Sequence, residues 1–249
     1  MLKILAAFIF FTRLPFWKLA EVPAGYFKNI VSRWALVGWF TAGIMVLVLY
    51  ASSLILPANV AVLLAIASRL LVTGCLHEDG LADFLDGFGG GASRERVLGI
   101  MKDSHIGSYG VIGLILYFGL LYTLLSSLPV ALAGSAILAG DPFSKGVASM
   151  IINKLPYARK EEEAKSKTVY SKMTTGEYFF ALFFMLVPML WLPAPEYMSA
   201  GFFPVLVFYL LTSLMKKKIQ GYTGDCCGAT FLLCELSFYL GITVIYTMK

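Results

Sequence analysis

A membrane-embedded, all-α bundle of about seven crossing helices is the fold class this chain predicts, and three observations carry it. Apolar stretches of helix length recur from one end of the 249 residues to the other. Charged residues make up only 14%, against about 25% in an ordinary soluble domain. The connections between the apolar stretches alternate between basic and bare. With nineteen Phe, thirteen Tyr and a mean hydropathy of +0.78, lipid is the expected solvent. The length suits one membrane domain, residues 1–249, with no separate soluble domain beside it.

The elements follow in order. Ile4 to Phe11 is an apolar run too short for a bilayer core of about 30 Å. Thr12-Arg13-Leu14-Pro15 follows it instead of a small-residue cleavage site, so an interfacial or re-entrant helix is expected. Seven longer stretches then qualify as spans, at roughly 34–56, 58–76, 108–128, 130–151, 177–193, 198–215 and 228–248. Pro57, Pro129 and Pro193-Ala194-Pro195 punctuate three tight connections. Segments 1–33, 77–107, 152–176 and 216–227 hold all but three of the twenty Lys and Arg, whereas the connections at the prolines hold none. The positive-inside rule therefore expects a cell (inner) membrane protein with a cytoplasmic N-terminus and an external C-terminus. Cys75, Cys226, Cys227 and Cys234 lack zinc spacing and read as reduced small hydrophobes. The Glu161-Glu162-Glu163 run reads as a solvated face, and Lys154, Lys160, Lys165, Lys167 and Lys172 read as topology signals or as an attraction for anionic lipid.

The cytoplasmic loop at about 77–107 breaks the basic trend. It carries Glu78, Asp79, Asp83, Asp86, Glu95 and Asp103 against Arg94, Arg96 and Lys102, a net of −3 in a chain of net +5. Spacings of four and three put Asp79, Asp83 and Asp86 on one helical stripe, with Leu81, Phe84, Leu85 and Phe88 opposite. Three like charges on one face repel, which calls for a cation. Hard oxygen ligands without a Cys or multi-His set favour Mg²⁺ over zinc. Asp79, Asp83 and Asp86 are the expected metal ligands, with Asp83, Asp86 and Asp103 as candidate catalytic carboxylates. Asp103 is read either as a ligand or base or as an N-cap of the next helix, and His105 either as interfacial or as a general base. Arg94, Arg96, Lys102 and Arg159 are candidate phosphate contacts. Gly221 to Ala229 forms a glycine-rich turn at a helix start, where Asp225 is either a ligand or a cap. Arg69 and Lys145, near span ends, reach a phosphate or snorkel. Asp141 and Glu235 lie inside spans and need partners the sequence does not name.

The run His77-Glu78-Asp79-Gly80-Leu81-Ala82-Asp83 through Asp86-Gly87, followed by Met101-Lys102-Asp103-Ser104-His105-Ile106-Gly107, resembles the cobalamin synthase family (adenosylcobinamide-GDP ribazoletransferase). Phe11-Thr12-Arg13-Leu14-Pro15, Pro156-Tyr157-Ala158-Arg159 and Thr223-Gly224-Asp225 match further stretches in the same order, so the resemblance covers nearly the whole chain. The chain departs from the family pattern at His105, where Arg is frequent, and at Glu78, where Leu or Phe is common. The resemblance implies a Mg²⁺-dependent integral membrane transferase. It would join adenosylcobinamide-GDP to α-ribazole, or its 5′-phosphate, to give adenosylcobalamin or its phosphate and GMP. It also implies Asp79, Asp83, Asp86 and Asp103 as the family's acidic site residues, and Asp225 is a candidate substrate contact. Nucleic acid is not an expected partner, and association with further copies of the chain stays open. Two rival readings are a CDP-alcohol phosphotransferase, whose Asp-Gly-x-x-Ala-Arg pattern is broken by Asp83, and a cation-coupled transporter using Asp141, Glu235 and Arg69.

Overall fold

The computed structural model describes residues 1–159 and 169–249. The Glu161-Glu162-Glu163 run and Lys160, Lys165 and Lys167 lie outside the described residues. Every stretch expected to span is helical: α2 (Trp34–Ser53), α3 (Ala58–Thr73), α6 (Ser108–Ser126), α7 (Val130–Ser149), α9 (Thr175–Leu186), α10 (Phe202–Ile219) and α11 (Gly224–Thr247). Shorter helices are α1 (Leu2–Phe11), α4 (Leu76–Gly90), α5 (Arg94–Ile100) and α8 (Ile151–Lys154). Pro57 and Pro129 sit at the N-caps of α3 and α7, where a missing N–H costs nothing.

By length and apolar composition alone, fewer than the seven expected stretches qualify as crossings. Among the described residues, four helical runs are long and apolar enough alone: Ala24–Ser53, Ser108–Ser126, Pro195–Ile219 and Gly224–Thr247. Helix α3 qualifies only with α4, to which it is joined through a 90° bend. Two physical reasons account for the difference. Helix α7 carries Asp141 and Lys145 within an otherwise apolar span, and α9 gives way to a 3₁₀ turn after twelve residues. The bend follows from Gly74 and Cys75, both left-handed at φ +63° and +57°. Gly74 tolerates that geometry, and its bare face is covered by the Arg13 side chain.

Helix α11 is the central post. Helix α4 lies along its first turns, α7 and α10 against its length, and α2 packs on both α3 and α7. Small residues permit the closest approach between α4 and α11: a methyl on Gly80 would stand 3.1 Å from the Asp225 backbone, and one on Gly228 3.2 Å from that of His77. Helix α1 is buried through Ala6, Ala7 and Phe11 against the Ala24–Arg33 turns and the start of α2.

The basic connections meet at one end of the bundle. Tyr157 and Tyr222 form an isolated β-bridge, with Ala158 N–H donating to Tyr222 O and Tyr222 N–H to Pro156 O. Arg94 donates to the carbonyls of Ile219 and Ala158, and Arg159 to that of Leu98. Three connections far apart in sequence are thereby tied into one surface.

The charges expected near span ends are interior. Arg69 bonds Glu235 at 2.6 Å and Tyr117 at 2.8 Å, and Tyr239 donates to Glu235. Lys145 pairs with Asp141 one turn away, and Thr41 donates to the same carboxylate. Both cations are fully buried, so neither snorkels nor reaches a phosphate; each neutralises an acid that lipid would not tolerate. All four cysteines are free, and Cys75 alone is exposed.

Candidate active site

Helix α4 carries all three aspartates, as the spacing predicts, but the structure gives them three environments. Asp79 is exposed, Asp83 half-buried and Asp86 only 7% exposed. Asp86 turns towards α6, where its two oxygens accept the amides of Gly107 at 2.7 Å and Gly110 at 2.8 Å. Those are the N-cap and third amides of α6, so a carboxylate from a neighbouring helix performs the cap. Gly107 and Gly110 leave room for it, since a methyl on either would touch the carboxylate. Among the described residues no three His, Cys, Asp or Glu side chains form a group that could hold a metal ion. The three-aspartate ligand set expected from the stripe is therefore not assembled: a stripe about 10 Å long points its two ends at different neighbours.

The structure instead brings Asp79 to Asp225. Both line a cavity of about 150 Å³ with Arg159, whose guanidinium is partly buried. The close contact at Gly80 makes this juxtaposition possible, because it seats the first turn of α11 on α4. Thr223, not Asp225, caps α11 by accepting the Cys226 amide at 3.3 Å, which settles the choice between cap and ligand for the turn in favour of Thr223 as cap. The two carboxylates and Arg159 thus ring the outer part of the cavity. The inner part is aromatic and buried: Phe11, Trp34 and His77 lie nearly parallel, with ring centroids 5.1 Å and 5.4 Å apart along the series. Tyr157 and Tyr170 complete the wall. Burial pushes the Tyr157 phenol up to about 12 and that of Tyr170 well above its ordinary value, so both remain hydrogen-bond donors at neutral pH.

The other predicted residues lie elsewhere. Arg94 braces the connections and does not enter the cavity; its fork suits two carbonyls as well as a phosphate, which sequence does not distinguish. Arg96 and Asp103 line a second, open depression of about 250 Å³ with Asp86 and His105. Asp103 accepts from the amide of His105 at 3.0 Å and pairs with its Nδ1 at 2.7 Å, and these bonds hold its carboxyl below the usual range. It caps a turn within its own loop and not α6, and His105 is 90% exposed. Lys102 is exposed beside them. Trp34, Tyr170 and the inward face of His77 are the cavity residues that sequence reasoning missed. His77 stood inside the acidic motif, but nothing local distinguishes Trp34 from the other tryptophans.

The profile of a family described as Cobalamin-5-phosphate synthase matches residues 3–243. This chain belongs to that family. Its curated relatives include a protein of Shewanella frigidimarina named adenosylcobinamide-GDP ribazoletransferase, 38% identical over 243 residues, 96% of this chain and 93% of the relative. One of the same name from Leptospira interrogans is 34% identical over 249 residues, covering 96% and 94%. The family is thus one of transferases, and the likeness spans every element that builds the cavity. No solved structure matches the chain.

Proposed function

We propose that this chain joins adenosylcobinamide-GDP to α-ribazole, or to its 5′-phosphate, releasing GMP. One observation carries the reading beyond family membership: Asp79, Arg159 and Asp225, from three separate segments, converge on the mouth of a single aromatic cavity. A carboxylate pair beside a guanidinium suits a diphosphate and an incoming hydroxyl, and the cavity behind them suits a nucleoside base.

In this reading a ribose hydroxyl oxygen attacks the phosphorus attached to cobinamide. The new P–O bond forms as the bond to the GMP oxygen breaks, and the hydroxyl proton passes to a carboxylate, Asp79 or Asp225. Arg159 faces the phosphate oxygens as negative charge builds on them. The donor chemistry fits Mg²⁺, which is commonly held by one or two carboxylates together with substrate phosphates. One of Asp79 and Asp225 would hold it, with Asp83 one turn along α4, and the other would remain to take the proton. When bound, the ion would neutralise the diphosphate and the departing oxygen. Asp86 is left out of this set because α6 engages both of its oxygens. Arg96 and Lys102 remain exposed at the second depression, where they raise the local concentration of an anionic substrate. The alternating charge of the connections supports an orientation with the N-terminus and the cavity mouth on the cytoplasmic side of the cell membrane and the C-terminus outside. A transporter reading loses its motive, since Asp141 and Glu235 are both neutralised by buried cations.

The test is GMP release by the purified protein in lipid, given adenosylcobinamide-GDP and α-ribazole, with Mg²⁺ or with chelator. Release should need both substrates and stop on chelation, and Asp79→Asn should lower turnover by about 100-fold or more. Release of CMP from a CDP-alcohol, or full activity in chelator, would overturn the reading.

A further inference from the structure

The inner cavity holds two polar groups that the protein leaves unanswered. Among the described residues neither ring nitrogen of His77 has a hydrogen-bond partner, and the same is true of Trp34 Nε1. The two side chains are 3% and 1% exposed. Buried polar atoms are nearly always paired, and leaving one unpaired is costly. Here two such groups stack on each other in the wall of one cavity. Trp34 can only donate, whereas neutral His77 offers one donor and one acceptor. The remaining buried lining, Phe11, Val31, Cys227 and Gly228, provides apolar contact and no further side-chain hydrogen-bond partner of comparable strength.

Resting on the proposed reaction, we infer that Trp34 and His77 select the nucleoside: the cavity takes the dimethylbenzimidazole base of α-ribazole, and one of these two side chains donates to its free ring nitrogen. A ligand that suits such a wall is flat and mostly apolar, with an acceptor for one of the two donors. The base of α-ribazole is a benzenoid ring fused to an imidazole, with one nitrogen bonded to the sugar and one carrying a lone pair. Guanine, the other base in the reaction, presents polar atoms around most of its rim, and several would be buried against Phe11 and Val31 without partners. A corrin macrocycle is far too large for a cavity of about 150 Å³. The burial gradient then sets the direction of entry. With the base against Trp34 and His77, the ribose lies at the mouth, beside Asp79 and Asp225, where the attacking hydroxyl is needed.

The experiment measures binding to the wild-type protein in nanodiscs by calorimetry, with three probes: α-ribazole, the 5,6-dimethylindole riboside in which the acceptor nitrogen is replaced by CH, and guanosine. One neutral hydrogen bond predicts about three- to tenfold weaker binding of the indole compound. Guanosine should not displace α-ribazole. Trp34→Phe and His77→Phe keep an aromatic ring, and in the variant lacking the donor the difference between the two ribosides should vanish. In turnover that variant should raise KM for α-ribazole and leave KM for adenosylcobinamide-GDP unchanged. Equal wild-type affinity for both ribosides overturns the inference without any variant, and so does displacement by guanosine. GMP release with an unchanged KM for α-ribazole in both variants also overturns it and leaves the proposed reaction standing. Absence of GMP release from the wild type with every nucleoside overturns the reaction instead.

Discussion

Asp86 and Asp79 lie two helical turns apart on α4 and hold different kinds of neighbour. Both amides that Asp86 accepts belong to the start of α6, which sets the loop carrying Asp103 and His105. Replacing it by Ala removes the cap and leaves two amides facing a buried gap. Asp86→Ala should therefore cost about 1–2 kcal/mol of stability, seen as a lower melting temperature in detergent. Asp79 is exposed, and Asp79→Asn should leave the melting temperature within a degree or two while removing most GMP release. Equal melting temperatures for the two variants would show that the Asp86 cap carries no weight. This division was not legible in the sequence. Periodicity places all three carboxylates on one stripe, and it is silent about which neighbour each end of the stripe meets. Arg94 fails for a similar reason: the carbonyls it binds belong to residues 158 and 219, which only the tertiary structure brings near.

At the scale of elements, the seam between α4 and α11 decides whether Asp79 and Asp225 share a cavity. Gly80 meets the backbone of Asp225, and Gly228 that of His77, so neither neighbour can rotate away as a flexible side chain would. A branched side chain must push the helices apart. Gly80→Val should leave the helix content by circular dichroism unchanged and reduce GMP release by about tenfold or more, because a displacement near 1 Å at a reacting centre is enough for that. Unchanged turnover would mean that the two carboxylates need not be held together. The helices themselves were well marked in the sequence, since hydropathy and proline placement respond to the same solvent that shapes them. The break between α3 and α4 was less visible. Leu70, Leu71 and Val72 continue the apolar pattern into Gly74, and only the left-handed geometry at Gly74 and Cys75 shows where the chain turns through 90°.

Across the whole molecule, the buried charges tie together helices that apolar packing alone would leave free to slide. Arg69 on α3, Tyr117 on α6, and Glu235 and Tyr239 on α11 form one network, with Glu78 of α4 at 3.7 Å from the same guanidinium. Glu78, which adjoins His77 and Asp79 in sequence, links it to the helix that carries part of the cavity wall. The local pair, Lys145 with Asp141, could have been read from its spacing of four; the distant one could not, because 166 residues separate Arg69 from Glu235. Removing one partner leaves a charge buried without compensation, so Glu235→Leu should cost about 3–5 kcal/mol. Removing both takes away the pair and leaves only Glu78 without its cation, so Glu235→Leu combined with Arg69→Met should recover part of that loss. Unfolding in mixed micelles would measure the three proteins side by side. Strict additivity of the two single changes would show that the pair has no mutual dependence. A recovered double variant that melts near the wild type but turns over slowly would place the network among the supports of the site, holding α3, α4 and α11 in register, over and above any part in stability.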